Sequence, residues 1–333
     1  MTTYRLYLET DLNRVFTQSV GPVAAAELDV VLAHALDAAN TEIELVAQGR
    51  TSFLRFDHGG EQPALAAAVA RLCASAALFV EHSPASLEPV VLDEALLFGT
   101  DVVTTQRYKG KTSERLTRLM LNLALSASAT KARTEPAVLD PMCGRGTTLN
   151  WSLLYGIRST GMDVDRHALD EYAVFLQQWA QGHRLPHRLQ RYKKQDSEHR
   201  HFDFAVAGDR KALEAKTVPD IRTFNAPADS TSIAPGRHSM LVSDLPYGVQ
   251  HRARTGNNEA TSVLDLVEQL SAHWPDWLLP GASVVLSWNV RSLAVDDMLT
   301  TLRSASFSDV ATRGFGHQVD RTITRDVVVA RRS

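Results

Sequence analysis

The sequence predicts an α/β protein: a mostly parallel sheet with an antiparallel terminal strand, preceded by a small α+β unit. Three observations predict it. From Ala137 onward, short apolar stretches of strand length alternate with amphipathic stretches of helix length. Several of the apolar stretches end on an acid: Asp140, Asp163, Asp209 and Asp244. Before about Gly99 the pattern is mixed, without that regular alternation, which places a division between residues 1–98 and 99–333.

The elements follow in order. Tyr4 to Leu8 alternates as a strand, Ala24 to Ala39 has helical spacing, and Ser52 to Phe56 alternates again. The Ala-rich stretch Ala64 to Leu78 reads as a second helix, followed by a strand at ALFVEH, and SPASLEP (Ser83 to Pro89) reads as the onset of a linker. In YKGKTSERLTRLMLNLALSAS, Thr112 or Ser113 is placed to cap a helix whose apolar face is Leu116, Leu119, Met120 and Leu123. The second unit then runs AVLD, helix TTLNWSLLYG, strand RSTGMDVD, helix HALDEYAVFLQQWA, strands FDFAVAGD and SMLVSDLPYG, helix SVLDLVEQLSAHW, strand ASVVLSWNV, helix AVDDMLTTLRS and strand DVVVARR. Such alternation implies crossover connections and a Rossmann-like sheet, with ligands at the carboxyl ends of its strands.

Composition excludes several classes. With 333 residues, 44% hydrophobic, 22% charged and a formal net charge of -3, the chain is an ordinary globular protein and not a strongly basic polyanion binder. Two cysteines, Cys73 and Cys143, allow neither a disulfide framework nor a cysteine-based zinc site, and the histidines show no metal spacing. MTTYRLYLETDLNR lacks the apolar core of a signal peptide, and no apolar run approaches a membrane span. A cytoplasmic location is expected.

LDPMCGRGTTLNW places Asp140 at a strand end, Gly144 and Gly146 in a tight turn, and a helix behind them. The third glycine of a dinucleotide fingerprint is replaced by Leu149, and no Walker pattern is present. Asp140 would repel a pyrophosphate and attract an ammonium. GMDVD ends the next strand on Asp163, placed for ribose hydroxyls, and Asp209 ends the one after, placed for an adenine amino group. An acid for each of these groups describes S-adenosylmethionine.

LVSDLPYG carries an acid, a proline and an aromatic to another strand tip. The exocyclic nitrogen of a base has its lone pair delocalised into the ring. Two acceptors on its N–H groups, the Asp244 carboxylate and the Leu245 carbonyl turned inward at Pro246, favour a more nucleophilic nitrogen. Tyr247 is placed to stack on the base, and Gly248 permits the turn. Cys143 inside the glycine turn reads as packing, and the thiolate that cytosine C5 chemistry needs is missing from Asp244–Leu245–Pro246–Tyr247.

DPMCGRGTT resembles the first motif of class I methyltransferases that modify exocyclic amines. DLPYG resembles the form found in THUMP-associated tRNA guanine-N2 methyltransferases. YKGKTSERLTRLMLNLALS and HQVDRTITRDVVVARR are similar to stretches at corresponding places in that family, so the resemblance runs from Arg107 to the end. It implies cofactor contacts at Asp140, Pro141, Cys143, Gly144, Gly146, Thr147, Asp163 and Asp209, and catalysis at Asp244, Leu245, Pro246 and Tyr247 without a metal. It also implies a tRNA substrate with direct in-line transfer to the N2 amine of a guanine. Gly248, Arg252 and Arg254, in the polar stretch after the motif, are candidate substrate contacts; HRLPHRLQRYKK (His183 to Lys194) is a candidate RNA contact or a polar linker. The N-terminal unit is too short for a THUMP domain together with its usual ferredoxin-like companion and resembles the latter alone; a helper subunit would compensate for its lack of basic charge. Two alternatives stand: a DNA adenine-N6 or cytosine-N4 methyltransferase, and a module that binds the cofactor without catalysis.

Overall fold

The computed structural model describes residues 1–9, 14–49, 51–93, 96–108, 110–130, 135–193, 199–230, 233, 235–246, 262–319 and 323–333. The N-terminal unit contains β1 (Thr2–Leu8), α1 (Arg14–Ala35), β2 (Ile43–Gln48), β3 (Thr51–His58), α2 (Gln62–Ala70), β4 (Ser75–Ser83) and β5 (Ser86–Val90). Its antiparallel strands run β2-β3-β1-β4-β5, so the first four form a split β-α-β arrangement with β5 added at one edge. Two local expectations change. The Ala-rich helix ends at Ala70, and the linker at Ser83 to Pro89 is largely strand β5. Pro89, which has no N–H to donate, is accommodated because β5 is an edge strand.

Next come α3 (Asp101–Thr104), α4 (Glu114–Ala127), β6 (Ala137–Asp140), α5 (Thr147–Leu154), β7 (Arg158–Asp163), α6 (Arg166–Gly182), β8 (His187–Arg191), β9 (Arg200–Val206), α7 (Arg210–Ala215) and β10 (Asp220–Asn225). The chain continues through β11 (His238–Asp244), α8 (Val263–Trp277), β12 (Leu278–Asn289), α9 (Val295–Ser304), β13 (Phe307–Thr312), β14 (His317–Gln318) and β15 (Thr324–Arg332). The second sheet runs β13-β15-β12-β11-β6-β7-β10-β9-β8, with β14 on β15. Strands β6, β7, β10, β11 and β12 are parallel, whereas β15 enters antiparallel to β12. Numbered by their order in the chain, the parallel strands lie 3-2-1-4-5, the doubly wound order whose direction of winding reverses between β6 and β11.

Side-chain alternation along these strands divides the core in two. Val138, Met240, Val242, Val285 and Val327 join a cluster with α4, α5 and α6, while Leu139, Leu241, Val284, Leu286 and Val328 join one with α8 and α9. The first cluster also includes Leu6, Leu28, Leu54 and Leu78 of the N-terminal unit, so one apolar core runs through both sheets. No helix among the described residues is long and apolar enough to cross a membrane.

FDFAVAGD is not the third parallel strand. Its strand, β9, runs antiparallel to β10, with Ala205 opposite Asp220, so its carboxyl end lies beside the start of β10. The third parallel strand is β10, RTFN at its core, whose polar character hid it. HRLPHRLQRYKK supplies the edge strand β8 and is not a linker over its whole length.

Candidate active site

The switch in winding between β6 and β11 leaves a crevice beyond the carboxyl ends of the sheet. A cavity of about 410 Å³ lies there, within the usual size range of ligand sites. Asp140, Pro141, Cys143, Gly144, Thr147, Asp163, Asp244, Leu245 and Pro246 all line it. Residues distant in sequence are thereby brought together by the ends of three parallel strands.

Asp140 is 3% exposed. Its Oδ1 accepts the Met142 N–H at 3.1 Å and the Ser243 hydroxyl at 2.8 Å, and Thr148 donates to the same carboxylate. Burial pushes its pKa up to about 6 against those hydrogen bonds. Among the described residues no cation pairs with it, so the site holds a buried negative charge that a ligand ammonium would complement.

The glycine turn is shaped by contact. Gly144 and Gly146 have φ of 51° and 78°, and the Gly144 N–H donates to Asp163 Oδ2 at 2.7 Å. Gly146 precedes α5, and a Cβ there would lie 2.1 Å from the Tyr172 ring. The Asp163 Oδ1 accepts the Asp165 N–H at 2.8 Å, and burial raises its pKa. Beside it Val164, 50% exposed, offers an apolar wall to the cavity. Cys143 is buried, and a Cβ on Gly161 would lie 2.7 Å from its sulfur. Burial, together with Asp163 and Asp140, raises its thiol pKa far from thiolate chemistry.

Asp209 does not reach the cavity. Its carboxylate caps α7, accepting the Ala212 N–H at 2.8 Å, and the antiparallel direction of β9 carries it to the opposite rim. The acid at the third parallel strand is Asp229, which lines the cavity with Pro227 and Ala228 just after β10. Its signal was an acid a few residues past a short β-rich stretch, NAPAD, obscured by the more apolar FDFAVAGD.

Asp244 ends β11 with its side chain 13% exposed. Its Oδ2 accepts the Thr112 hydroxyl at 2.7 Å and lies 3.1 Å from Arg325 Nη2. Its Oδ1 is buried without a hydrogen-bond partner among the described residues. A carboxylate oxygen left without a partner, on a residue that lines a cavity, is an acceptor for an incoming N–H. The Leu245 N–H donates to Ser287 O at 2.8 Å, which ties the motif to β12, and the Leu245 side chain is buried in the second core cluster. Tyr247, Gly248, Arg252 and Arg254 lie outside the described residues.

Thr112 and Arg325 were not among the predicted site residues. Of the two cap candidates, Thr112 and Ser113, it is Ser113 that occupies the N-cap position of α4, while the Thr112 hydroxyl goes to Asp244. Arg325 did carry a signal: it shares a strand face with Val327, two residues on, and a core-facing cation calls for an acid. Tyr108 and Arg145 also line the cavity, with the guanidinium 4.7 Å from the ring centroid. In the candidate RNA contact, Tyr192 donates to Asp203 at 2.8 Å and stacks under Arg200, so its ring has a partner within the chain. Among the described residues no cluster of three or more His, Cys, Asp or Glu is arranged to hold a metal.

No family model and no curated protein matches the chain. Among solved structures it resembles TrmN from Thermus thermophilus at 12% identity and a TM-score of 0.49, over 99% of this chain and 100% of that one. It also resembles the 16S rRNA N2 methyltransferase RsmC of T. thermophilus, solved with AdoMet and guanosine. There the identity is 16% and the TM-score 0.38, over 88% of this chain and 58% of that one. The rRNA methyltransferase aviRa of Streptomyces viridochromogenes gives 18% identity and a TM-score of 0.40, over 71% of this chain and 91% of that one. At this degree of likeness the site, not its neighbours, carries the functional reading.

Proposed function

We propose that the chain is an S-adenosylmethionine-dependent N-methyltransferase acting on the exocyclic amine of a base in RNA, with N2 of a guanine in tRNA as its target. The observation that carries this reading is the buried Oδ1 of Asp244, without a hydrogen-bond partner among the described residues, on a residue that lines the same cavity as the buried carboxylate of Asp140. One acid suits an ammonium, the other a neutral amine.

The residues present fit the cofactor. Asp140 would hold its amino group, Asp163 its ribose hydroxyls and Asp229 its adenine amino group, with Val164 against the ring. When bound, S-adenosylmethionine supplies an electrophilic methyl group. The chain's own part is to place an amine beside it. Asp244 Oδ1 accepts one N–H and so fixes the nitrogen's direction and raises its electron density. The Leu245 carbonyl, at the constrained bond to Pro246, is the proposed second acceptor, and Tyr247 the proposed stacking surface. Reaching a base inside folded RNA requires flipping it out, which the N-terminal unit, residues 1–98, or a helper subunit would assist by gripping the surrounding RNA.

The test supplies methyl-labelled S-adenosylmethionine with undermodified total tRNA, ribosomal RNA or duplex DNA, and identifies the methylated nucleoside by mass spectrometry. N2-methylguanosine in tRNA is expected. Asp244→Ala is expected to lower the rate at least ~100-fold while leaving cofactor affinity near wild type. N6-methyladenine or N4-methylcytosine in DNA would replace the substrate; cofactor binding without transfer to any acceptor would replace the enzyme by a binding module.

A further inference from the structure

Among the described residues the Asp244 carboxylate is held from two sides, both times through Oδ2. Thr112 approaches from the segment that leads into α4, and Arg325 from the start of β15, where it lies opposite Asn289 of β12 and His317 of β14. These residues stand 132 positions before and 81 positions after the acid in the chain (244 − 112 and 325 − 244), so only the fold joins them. Arg325 is 3% exposed, and a guanidinium only donates hydrogen bonds. The oxygen facing it must therefore be an acceptor.

We propose that Arg325 and Thr112 are positioning residues that bind Oδ2 of Asp244 and thereby dedicate Oδ1 to the substrate amine, so that this site requires a carboxylate and rejects the isosteric amide. This rests on the methyltransferase reading of the cavity. An asparagine here must turn its carbonyl oxygen toward Arg325 and Thr112. Its NH2 group then occupies the position of Oδ1 and meets the N–H groups of the substrate donor to donor. The aspartate has an acceptor on both sides and satisfies the clamp and the amine together.

The experiment compares methyl transfer, cofactor binding by calorimetry and thermal melting for wild type, D244N, R325L, R325K, T112V and D244N/R325L. D244N is expected to lose activity ~100-fold or more, as Asp244→Ala is, with cofactor affinity within about threefold of wild type. T112V and R325L are each expected to lower kcat about tenfold or more with cofactor affinity retained, R325K less than R325L. D244N/R325L is expected to be faster than D244N, because the amide is free to rotate once the guanidinium is gone. It is also expected to melt higher than R325L, which leaves a buried carboxylate without its cation. D244N at more than about a tenth of the wild-type rate overturns the proposal. So does a double variant that neither regains activity over D244N nor melts above R325L. A wild-type chain that methylates no amine refutes the underlying reading and with it the dedication of Oδ1. The melting order of R325L and D244N/R325L then decides separately whether the clamp exists.

Discussion

Asp140, the proposed partner of a cofactor ammonium, carries a cost to folding. Its folded pKa of about 6 stands above its ordinary value of 3.8, chiefly because burial disfavours the charge. A carboxyl raised in this way prefers its proton in the native state. Its favourable contribution is fully present below about pH 4 and is lost as the pH rises through about 6. At pH 7.5, Asp140→Asn is expected to unfold at higher denaturant, with a gain of roughly 1–3 kcal/mol that shrinks to nothing near pH 4. The same substitution is expected to weaken S-adenosylmethionine binding about tenfold or more, because the charge proposed to meet the ammonium is gone. Wild-type affinity should likewise fall as the pH drops through about 6. Calorimetric titration between pH 5 and pH 8 checks the affinity; denaturant melts at the two pH extremes check the stability. An Asp140→Asn variant less stable than wild type at pH 7.5 would contradict the account.

At the scale of elements, the turn between β6 and α5 depends on what packs behind it. Gly146 is left-handed at φ 78°, and α6 presses Tyr172 against it while the Tyr172 hydroxyl donates to Asn150 Oδ1 at 2.8 Å. Gly146→Ala adds a left-handed alanine and a clash with a buried ring, together costing roughly 2–5 kcal/mol. It should also displace the turn and weaken cofactor binding. Gly182→Ala, at the end of α6 with open space around its Cβ position, is the control and should change stability by no more than about 1 kcal/mol. Equal melting of the two variants would refute the packing account. That Asp229 and not Asp209 lines the cavity belongs to this scale too. Strand direction decides which acid faces the cavity, and direction is set by neighbours in the sheet.

Across the whole molecule, α4 is the seam. It packs on β11, β12 and β15 on one side and on α1 on the other. Asn122 donates to the buried Glu27 at 2.8 Å, Arg118 to the carbonyl oxygens of Ala70 and Arg71, and Arg115 to Glu9. Because the apolar cluster is continuous through this seam, the full chain is expected to unfold in one calorimetric transition. A chain starting at Gly99 is expected to lose that cooperative transition, since the surface of α4 that α1 covers would meet water. Two resolved transitions in the full chain, or a cooperative melt of the truncated one, would show that the units are independent. The N-terminal unit also contributes indirectly to the site: Thr112, which touches Asp244, sits in the segment leading into the helix that α1 braces.

Local pattern by itself determined the alternation of strands and helices, the glycine turn and the strand-end acids Asp140, Asp163 and Asp244, because burial period, φ requirements and helix starts are written over a few neighbouring residues. It misassigned the third strand, because FDFAVAGD is the more apolar stretch while three of the four residues of RTFN are polar. Apolarity reports burial, not direction. It also passed over β5 and β8, edge strands whose stability comes from a neighbour and not from their own composition. Only the tertiary structure decided that Asp229 rather than Asp209 lines the cavity, that Ser113 caps the helix while Thr112 binds Asp244, and that Arg325 takes one carboxylate oxygen while the other has no partner among the described residues. The reason is the same in each case. A pairing between residues far apart in the chain leaves no mark in the residues beside either partner and exists only once the sheet has brought the strand ends together.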